Sequence, residues 1–256
     1  MTPPPGAGAQ RPVRTLLIWL VLASLLPGLV GAITLFIYQY REGRAQLENS
    51  TLQSARALAH AVDSHLLKVQ AVAQALAASD AFANNDLAHF HRQARRAIAE
   101  IGLSTNVVLR NRQGRQVLNT VVDFGKPLPP TLAPEQVQEV FATGRPTISD
   151  VFIGLALKRP IMSVDVPVWV NGRIAYALAI GILPEHFNAI LKAQGLPPDW
   201  VAGVFDRRGI VFGRTHAPEQ YVGRPAARDL LERMRVSPEG SLQATTSDGI
   251  PVLVFY

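Results

Sequence analysis

Apolar and polar positions change their period several times along the chain, and each change marks an element. From Thr15 to Tyr40 no residue carries a charge: "TLLIWLVLASLLPGLVGAITLFIYQY". As a helix rising ~1.5 Å per residue, this stretch crosses a ~30 Å hydrocarbon core with some tilt. Pro27-Gly28 inside it predicts a kink. From residue 41 to 79 the period becomes helical and amphipathic. Ala55, Leu58, Val62, Leu66, Val69, Ala73 and Leu76 recur at spacings of three and four, and Arg56, His60, Asp63 and Lys68 mark the wetter side. This pattern predicts a long stalk helix. Its far half packs on the domain that follows, and its near half pairs with a second chain.

A second helix is expected from Leu87 to Glu100, with Asp86 as its N-cap. Then the period falls to two. "TNVVLRN", a turn at Gln113-Gly114 and "RQVLNT" predict a hairpin. A Pro-rich connection, "GKPLPPTLAP", leads to a short helix, "PEQVQEVFATG". Three strands follow: "TISDVFIG", "PIMSVDVPVWV" and "RIAYALAIGI", the last two joined at Asn171-Gly172, a strong hairpin signal. A helix over 184–195 leads out.

The pattern then restarts. "WVAGVFD" turns at Arg208-Gly209 into "IVFGRT". A helix is expected at 226–235, and "GSLQATT" and "IPVLVFY" flank a turn at Asp248-Gly249. Residues 109–120, "LRNRQGRQVLNT", echo residues 204–215, "VFDRRGIVFGRT". Asn111 falls on Asp206, Arg112 on Arg207, Gly114 on Gly209 and Thr120 on Thr215. Hairpin, helix, strand and hairpin thus occur twice, the second time in shorter form. The fold class is α+β, with two serial antiparallel-sheet modules behind a transmembrane helix and a long stalk helix. The expected boundaries are an arm at 1–14, a span at 15–40, the stalk at 41–79, a first module at 80–195 and a second at 196–256.

Charge and chemistry narrow the function. The short N-terminal arm contains Arg11 and Arg14 and no acid, which keeps it cytoplasmic and exports the rest. "VGA" ending at Ala32 offers a signal-peptide cleavage site. The apolar stretch runs on past it, beyond the ~7–15 residues of a signal peptide, and favours an uncleaved anchor. The net charge is +6, but the Arg residues are scattered among acids with no interleaved aromatics, so no nucleic acid is expected as partner. With no Cys, disulfides and Cys-bearing zinc sites are excluded. His60/His65 and His89/His91 lack the spacing that stacks two imidazoles on one helix face, so no metal is expected. Gly-x-Ser-x-Gly, His-Glu-x-x-His and a phosphate-cradling Gly loop are all missing from the sequence. Neither an enzymatic activity nor a cofactor is expected of this chain.

With its anchor, long helix and two serial sheets, the chain resembles the double Cache sensor domains, the PAS-like extracytoplasmic regions of bacterial histidine kinases, diguanylate cyclases and chemoreceptors. The likeness covers residues 40–256 and is carried by "TGRPTISDVFIGLALKRPIMSVDVPVWVNGRIAYALAIGILPEHFNAIL" with "VAGVFDRRGIVFGRT" behind it. It implies a membrane-distal module that binds a small molecule, a membrane-proximal module, a homodimer through the long helix, and residence in a bacterial inner membrane. It also implies a sheet whose fifth strand lies between the first and the fourth. The second module contains four strands, so the sequence is expected to be a fragment of a longer receptor, most simply a histidine kinase. The alternative is a membrane-tethered exported binding or structural protein without signalling output.

The resemblance places a ligand on one face of the distal sheet, under the connection between its second and third strands. In "IMSVDVPV" alternation puts Met162, Val164 and Val166 on one side and Ser163 and Asp165 on the other. The apolar set suits the long helix, so Asp165 is expected to face the pocket. It needs a partner there, either a cationic ligand group or Lys158 or Arg159. Asp150, Phe152 and Tyr176 complete the candidate site, Phe152 and Tyr176 as aromatic walls. The amino-acid-binding subgroup has an Arg and a Trp two residues apart before the third strand, and an Asp after the fifth. The corresponding "VVDFGKPLPP" and "GILPEH" match neither, so a small molecule outside that amino-acid class is expected.

Overall fold

The alternating stretches form strands and the 3.6-period stretches form helices in a computed structural model of the chain. It describes residues 13–102, 106–129, 135–237, 239–245 and 251–256. In chain order the elements are α1 (Val13–Ala77), α2 (Asp80–Ala83), α3 (Leu87–Ile101), β1 (Val107–Arg110), β2 (Gln116–Asn119), α4 (Glu135–Thr143), β3 (Thr147–Ile148), β4 (Phe152–Gly154), β5 (Arg159–Val170), β6 (Arg173–Ile182), α5 (Pro184–Ala193), β7 (Gly203–Phe205), β8 (Val211–Arg214), α6 (Pro218–Tyr221), α7 (Arg228–Val236), β9 (Ser241–Thr245) and β10 (Pro251–Phe255). The chain divides into two compact units, Met1–Gln53 and Ser54–Tyr256. In the first, Trp19–Tyr40 has a mean hydropathy of 2.4 and is long and apolar enough to cross a membrane. The expected span and the expected stalk both belong to α1, which continues through Pro27 and Gly28.

The second unit is organised by one antiparallel sheet in the order β2-β1-β6-β5-β3, with β4 also pairing with β5. Counting β3 and β4 as a single third strand, the fifth, β6, lies between the first and the fourth, as the resemblance implies. Asn171 (φ 50°) and Gly172 (φ 74°) close the β5–β6 hairpin in the left-handed conformation that a two-residue turn between twisted strands demands.

One face of this sheet is apolar. Val107 and Leu109 of β1, Val164, Val166 and Val168 of β5, and Leu178, Ile180 and Ile182 of β6 are all buried. They pack against Val69, Ala73 and Leu76 of α1 and Phe90, Ala94 and Ile98 of α3. Each such side chain contributes about 1.5–3 kcal/mol by leaving water, which makes this layer the main source of stability. Val62 and Leu66 join its edge, so the far half of the helical stripe packs on the sheet as its spacing predicts. α3 is capped as expected: the Asp86 carboxylate accepts the His89 N–H at 2.8 Å.

The echo between residues 109–120 and 204–215 is an echo of hydrogen bonds. Asn111 Oδ1 accepts the backbone N–H groups of Gln113 (3.1 Å) and Arg115 (3.0 Å). Asp206 Oδ1 accepts those of Arg208 (3.0 Å) and Ile210 (2.7 Å). Gly114 (φ 76°) and Gly209 (φ 79°) take the left-handed position of each turn. Thr120 Oγ1 accepts the Val107 N–H (2.9 Å), and Thr215 Oγ1 accepts the Ala202 N–H (3.0 Å). Three kinds of residue thus do the same three jobs in each hairpin.

Beyond α5, β7 pairs with β8 and β9 with β10, as two separate ladders. Phe212 of β8 packs edge-on against Phe187 of α5, with ring centroids 5.2 Å apart. The expected turn at Asp248-Gly249 lies outside the described residues, as does the end of the Pro-rich connection. α2 and α6, each four residues long, are too short to leave a period in the sequence.

One expected strand is interrupted. "TISDVFIG" forms β3 and β4 with Ser149–Val151 between them. Ser149 still pairs with β5, through its N–H to Ser163 O (2.9 Å). The Val151 N–H leaves the ladder and donates to Asp206 Oδ2 instead (2.9 Å).

Candidate functional site

The second face of the large sheet is polar and partly covered. α4 lies over one part, where Val137, Val140 and Phe141 bury Ala177. Elsewhere a cavity of about 40 Å³ remains, bounded by the sheet and by residues 152–157, which run from β4 into the turn before β5. Asn106, Arg110, Asn119 and Ser163 supply its polar groups, and Phe152, Leu155 and Ile161 line its apolar side. We refer to residues 152–157 as the cover.

Small residues on the central strand shape this face. Ala177, Ala179 and Gly181 of β6 point the same way as Arg110 and Asp165. Ala179 is paired with Val108 on one side and Asp165 on the other. Because β6 presents only methyl groups and a hydrogen there, Arg110 of β1 and Asp165 of β5 meet across it. Arg110 Nη1 lies 3.8 Å from Asp165 Oδ1, with side chains 7% and 0% exposed. Ser163 Oγ donates to Asp165 Oδ2 at 2.5 Å. Asn106 donates to Asn119 Oδ1 (2.9 Å), and Asn119 donates to Gln116 Oε1 (3.0 Å).

The pairing is incomplete. Arg110 Nε and Asp165 Oδ1 are buried without a hydrogen-bond partner among the described residues, and 3.8 Å is too long for a hydrogen bond. Burial pushes the Asp165 carboxyl up to about 6, against the opposing pull of Arg110 and the Ser163 hydroxyl. Burial also lowers the Arg110 guanidinium, and Asp165 opposes this. Burial therefore outweighs attraction at both partners.

The structure gathers some of the sequence candidates and disperses the rest. Asp165 and Ser163 face the polar side as alternation requires, and Phe152 borders the cavity. The partner of Asp165 is Arg110, not Lys158 or Arg159. Lys158 sits in the β4–β5 turn at φ 53°, and Arg159 pairs with Glu185 of α5. Asp150 is drawn away from the cavity to Arg207 (3.1 Å) and Arg208 (3.7 Å). Tyr176 is on the opposite face, 6.0 Å from Phe82 in the helix-packed layer, because it shares the parity of Leu178 and Ile180. Sequence reasoning missed Arg110, Asn106 and Asn119. The signal for Arg110 was the run of small residues at alternate positions of "AYALAIG", which leaves room for a long side chain from a neighbouring strand. Among the described residues no group of three or more His, Asp or Glu is arranged to hold a metal ion.

No family model matches the sequence, and no curated protein matches it. Solved structures do match in fold. The ligand-binding domain of the Campylobacter jejuni chemoreceptor Tlp3, in complex with L-valine, superposes with a TM-score of 0.56 at 15% identity, over 79% of this chain and 86% of that one. The extracellular domain of the putative histidine kinase mmHK1S-Z2 gives 0.62 at 16% identity, over 81% and 90%. The sensor domain of the V. cholerae histidine kinase DctB gives 0.55 at 10% identity, over 75% and 81%. The order of the sheet, the long helix on its apolar face and these superpositions agree: the chain has the fold of the sensor and ligand-binding domains of chemoreceptors and histidine kinases.

Proposed function

We propose that this chain is the extracytoplasmic sensing part of a membrane-bound signal-transduction receptor, and that a small anionic metabolite binds in the cavity at Arg110. The observation that carries the ligand class is the buried guanidinium bordering the cavity with its Nε unpaired. An oxyanion is the group that satisfies such a donor best. The neighbouring amides of Asn106 and Asn119 suit a polar, non-aromatic ligand. The neighbours with this fold are parts of a chemoreceptor and of histidine kinases, which supports a signalling role. A histidine kinase output is the simplest parent, with a diguanylate cyclase or chemoreceptor as variants. The Tlp3 structures hold amino acids, but the Arg-x-Trp pair and the Asp of the amino-acid class are missing from the matching stretches of this chain, so a simple carboxylate fits better. α1 anchors the chain with its N-terminal arm in the cytoplasm, and the near half of its part beyond residue 40 pairs with a second copy. The 80–195 region is the distal, ligand-binding module and 196–256 the proximal one.

The test is a thermal-shift panel on the full chain in detergent micelles, with succinate, pyruvate, lactate, inorganic phosphate, a neutral sugar and a polyamine. A rise in Tm with a carboxylate, absent in Arg110→Met, is the expected result. A rise with the sugar or the polyamine alone would overturn the anionic assignment.

A further inference from the structure

The difference between the two echoed hairpins is as informative as their likeness. Asn111 closes the first turn with one side-chain oxygen accepting two backbone N–H groups, and the second turn needs no more than that. Asp206 at the matching place has a second acceptor oxygen. That oxygen leaves its own hairpin and accepts the Val151 N–H at 2.9 Å, with the Asp206 side chain fully buried. Arg208 Nη2 donates to Val151 O at 2.5 Å, so both backbone polar groups of Val151 are held by one turn. The neighbouring Arg207 pairs with Asp150 (3.1 Å) and donates to Ile148 O (3.2 Å). The residue after Val151 is Phe152, where the cover begins.

We propose that the β7–β8 hairpin is the latch of the cavity's cover, and that Asp206 is its positioning residue. With Val151 held, the chain enters β4 at a fixed place and residues 152–157 lie over Arg110. With Val151 released, its N–H is free to join the ladder of β5, and β3 and β4 are free to merge and shift the cover. The position of the cover and the seating of the second module's hairpin are then one equilibrium, and whatever biases one biases the other. This rests on the reading of the cavity as the ligand site, but its test uses no ligand.

The two hairpins supply their own control. Asp206→Asn keeps the oxygen that closes the turn, as Asn111 does, and turns an NH2 group toward the Val151 N–H. Asn111→Asp makes the reciprocal change where no neighbouring strand is held. The full chain in detergent micelles is treated with phenylglyoxal, an arginine-selective reagent, and modification of Arg110 is read by mass spectrometry relative to exposed Arg173. Amide hydrogen exchange of peptides covering 149–158 and 204–212 is followed in parallel. In Asp206→Asn, Arg110 modification and exchange in 149–158 are expected to rise by about tenfold, the worth of one charge-assisted hydrogen bond. Exchange in 204–212 is expected to hold, and Asn111→Asp to leave Arg110 and 149–158 unchanged. If 204–212 also loses protection, Arg208→Met decides: its side chain is 59% exposed, and its loss should speed Arg110 modification without opening the turn. Unchanged Arg110 modification in both Asp206→Asn and Arg208→Met overturns the latch. A carboxylate panel that shifts nothing would overturn the ligand reading and leave this result standing.

Discussion

Asp165 is buried on a sheet face beside a guanidinium that does not quite reach it, and its stability should depend on pH in a specific direction. Its carboxyl is raised to about 6 in the folded chain, against ~4 for an unfolded one. Between those values the folded chain keeps a proton that the unfolded chain has lost. The stabilisation from that proton is complete below ~4, declines as pH rises, and is gone above about 6. The urea stability of the wild type relative to Asp165→Asn should therefore fall between about pH 4 and 6 and stay level above that. A flat difference across this window would mean that Asp165 stays ionised. Removing the cation is a separate matter. Arg110→Met strands the carboxylate, and should cost about 3–5 kcal/mol near neutral pH and less near pH 5, where Asp165 takes up a proton instead. Adding Asp165→Leu should restore most of that loss, because a buried pair replaced by apolar groups of similar volume loses little. Equilibrium urea unfolding of the three variants checks both statements.

The strands of the large sheet show how far alternation reaches and where it stops. β5 and β6 matched their sequence boundaries closely because an apolar face packed on helices, opposite a face of small and polar residues, imposes a period of two. The same period placed Ser163 and Asp165 on the correct side. Carried through β6, the same period puts Tyr176 with Leu178 and Ile180 in the helix-packed layer, not among the aromatic walls of the cavity. Two features were not legible in the same way. Arg110 meets Asp165 across an intervening strand, a contact that depends on the registers of two ladders. The third strand breaks at Val151, whose N–H donates to Asp206, a residue from a different hairpin. Both are non-local, whereas turns, caps and the echoed hairpins are local and were readable. The small face of β6 gives an element-level test. Ala179→Val improves strand propensity, yet it should destabilise the chain by about 1–3 kcal/mol, by crowding the space in which Arg110 and Asp165 approach. In the first hairpin, Gly114→Val forces a branched side chain into φ 76° and should cost about 1–3 kcal/mol. Thermal melts of the two variants against wild type give both values, and an unchanged melt for Ala179→Val would show that the ion pair tolerates a wider central strand.

For the whole molecule, a sensing role requires the sheet and the N-terminal arm to be on opposite sides of a membrane. Among the described residues, Trp19–Tyr40 is long and apolar enough to separate them. Arg11 and Arg14 before it predict the direction, because basic residues next to a span are retained in the cytoplasm. The chain contains no cysteine, so a single introduced thiol reports its own location against no background. Thr2→Cys marks the arm, and Lys192→Cys marks the exposed side of α5. In intact bacterial cells, a maleimide that cannot cross the inner membrane should label Lys192→Cys at once, and Thr2→Cys only after permeabilisation. Lys192 is exposed and outside the apolar core, so its labelling reports topology rather than unfolding. Labelling of Thr2→Cys in intact cells, with Lys192→Cys protected, would place the Arg110 cavity in the cytoplasm. A metabolite outside the membrane would then have no access to it, and the extracytoplasmic sensor reading would fail whatever the fold.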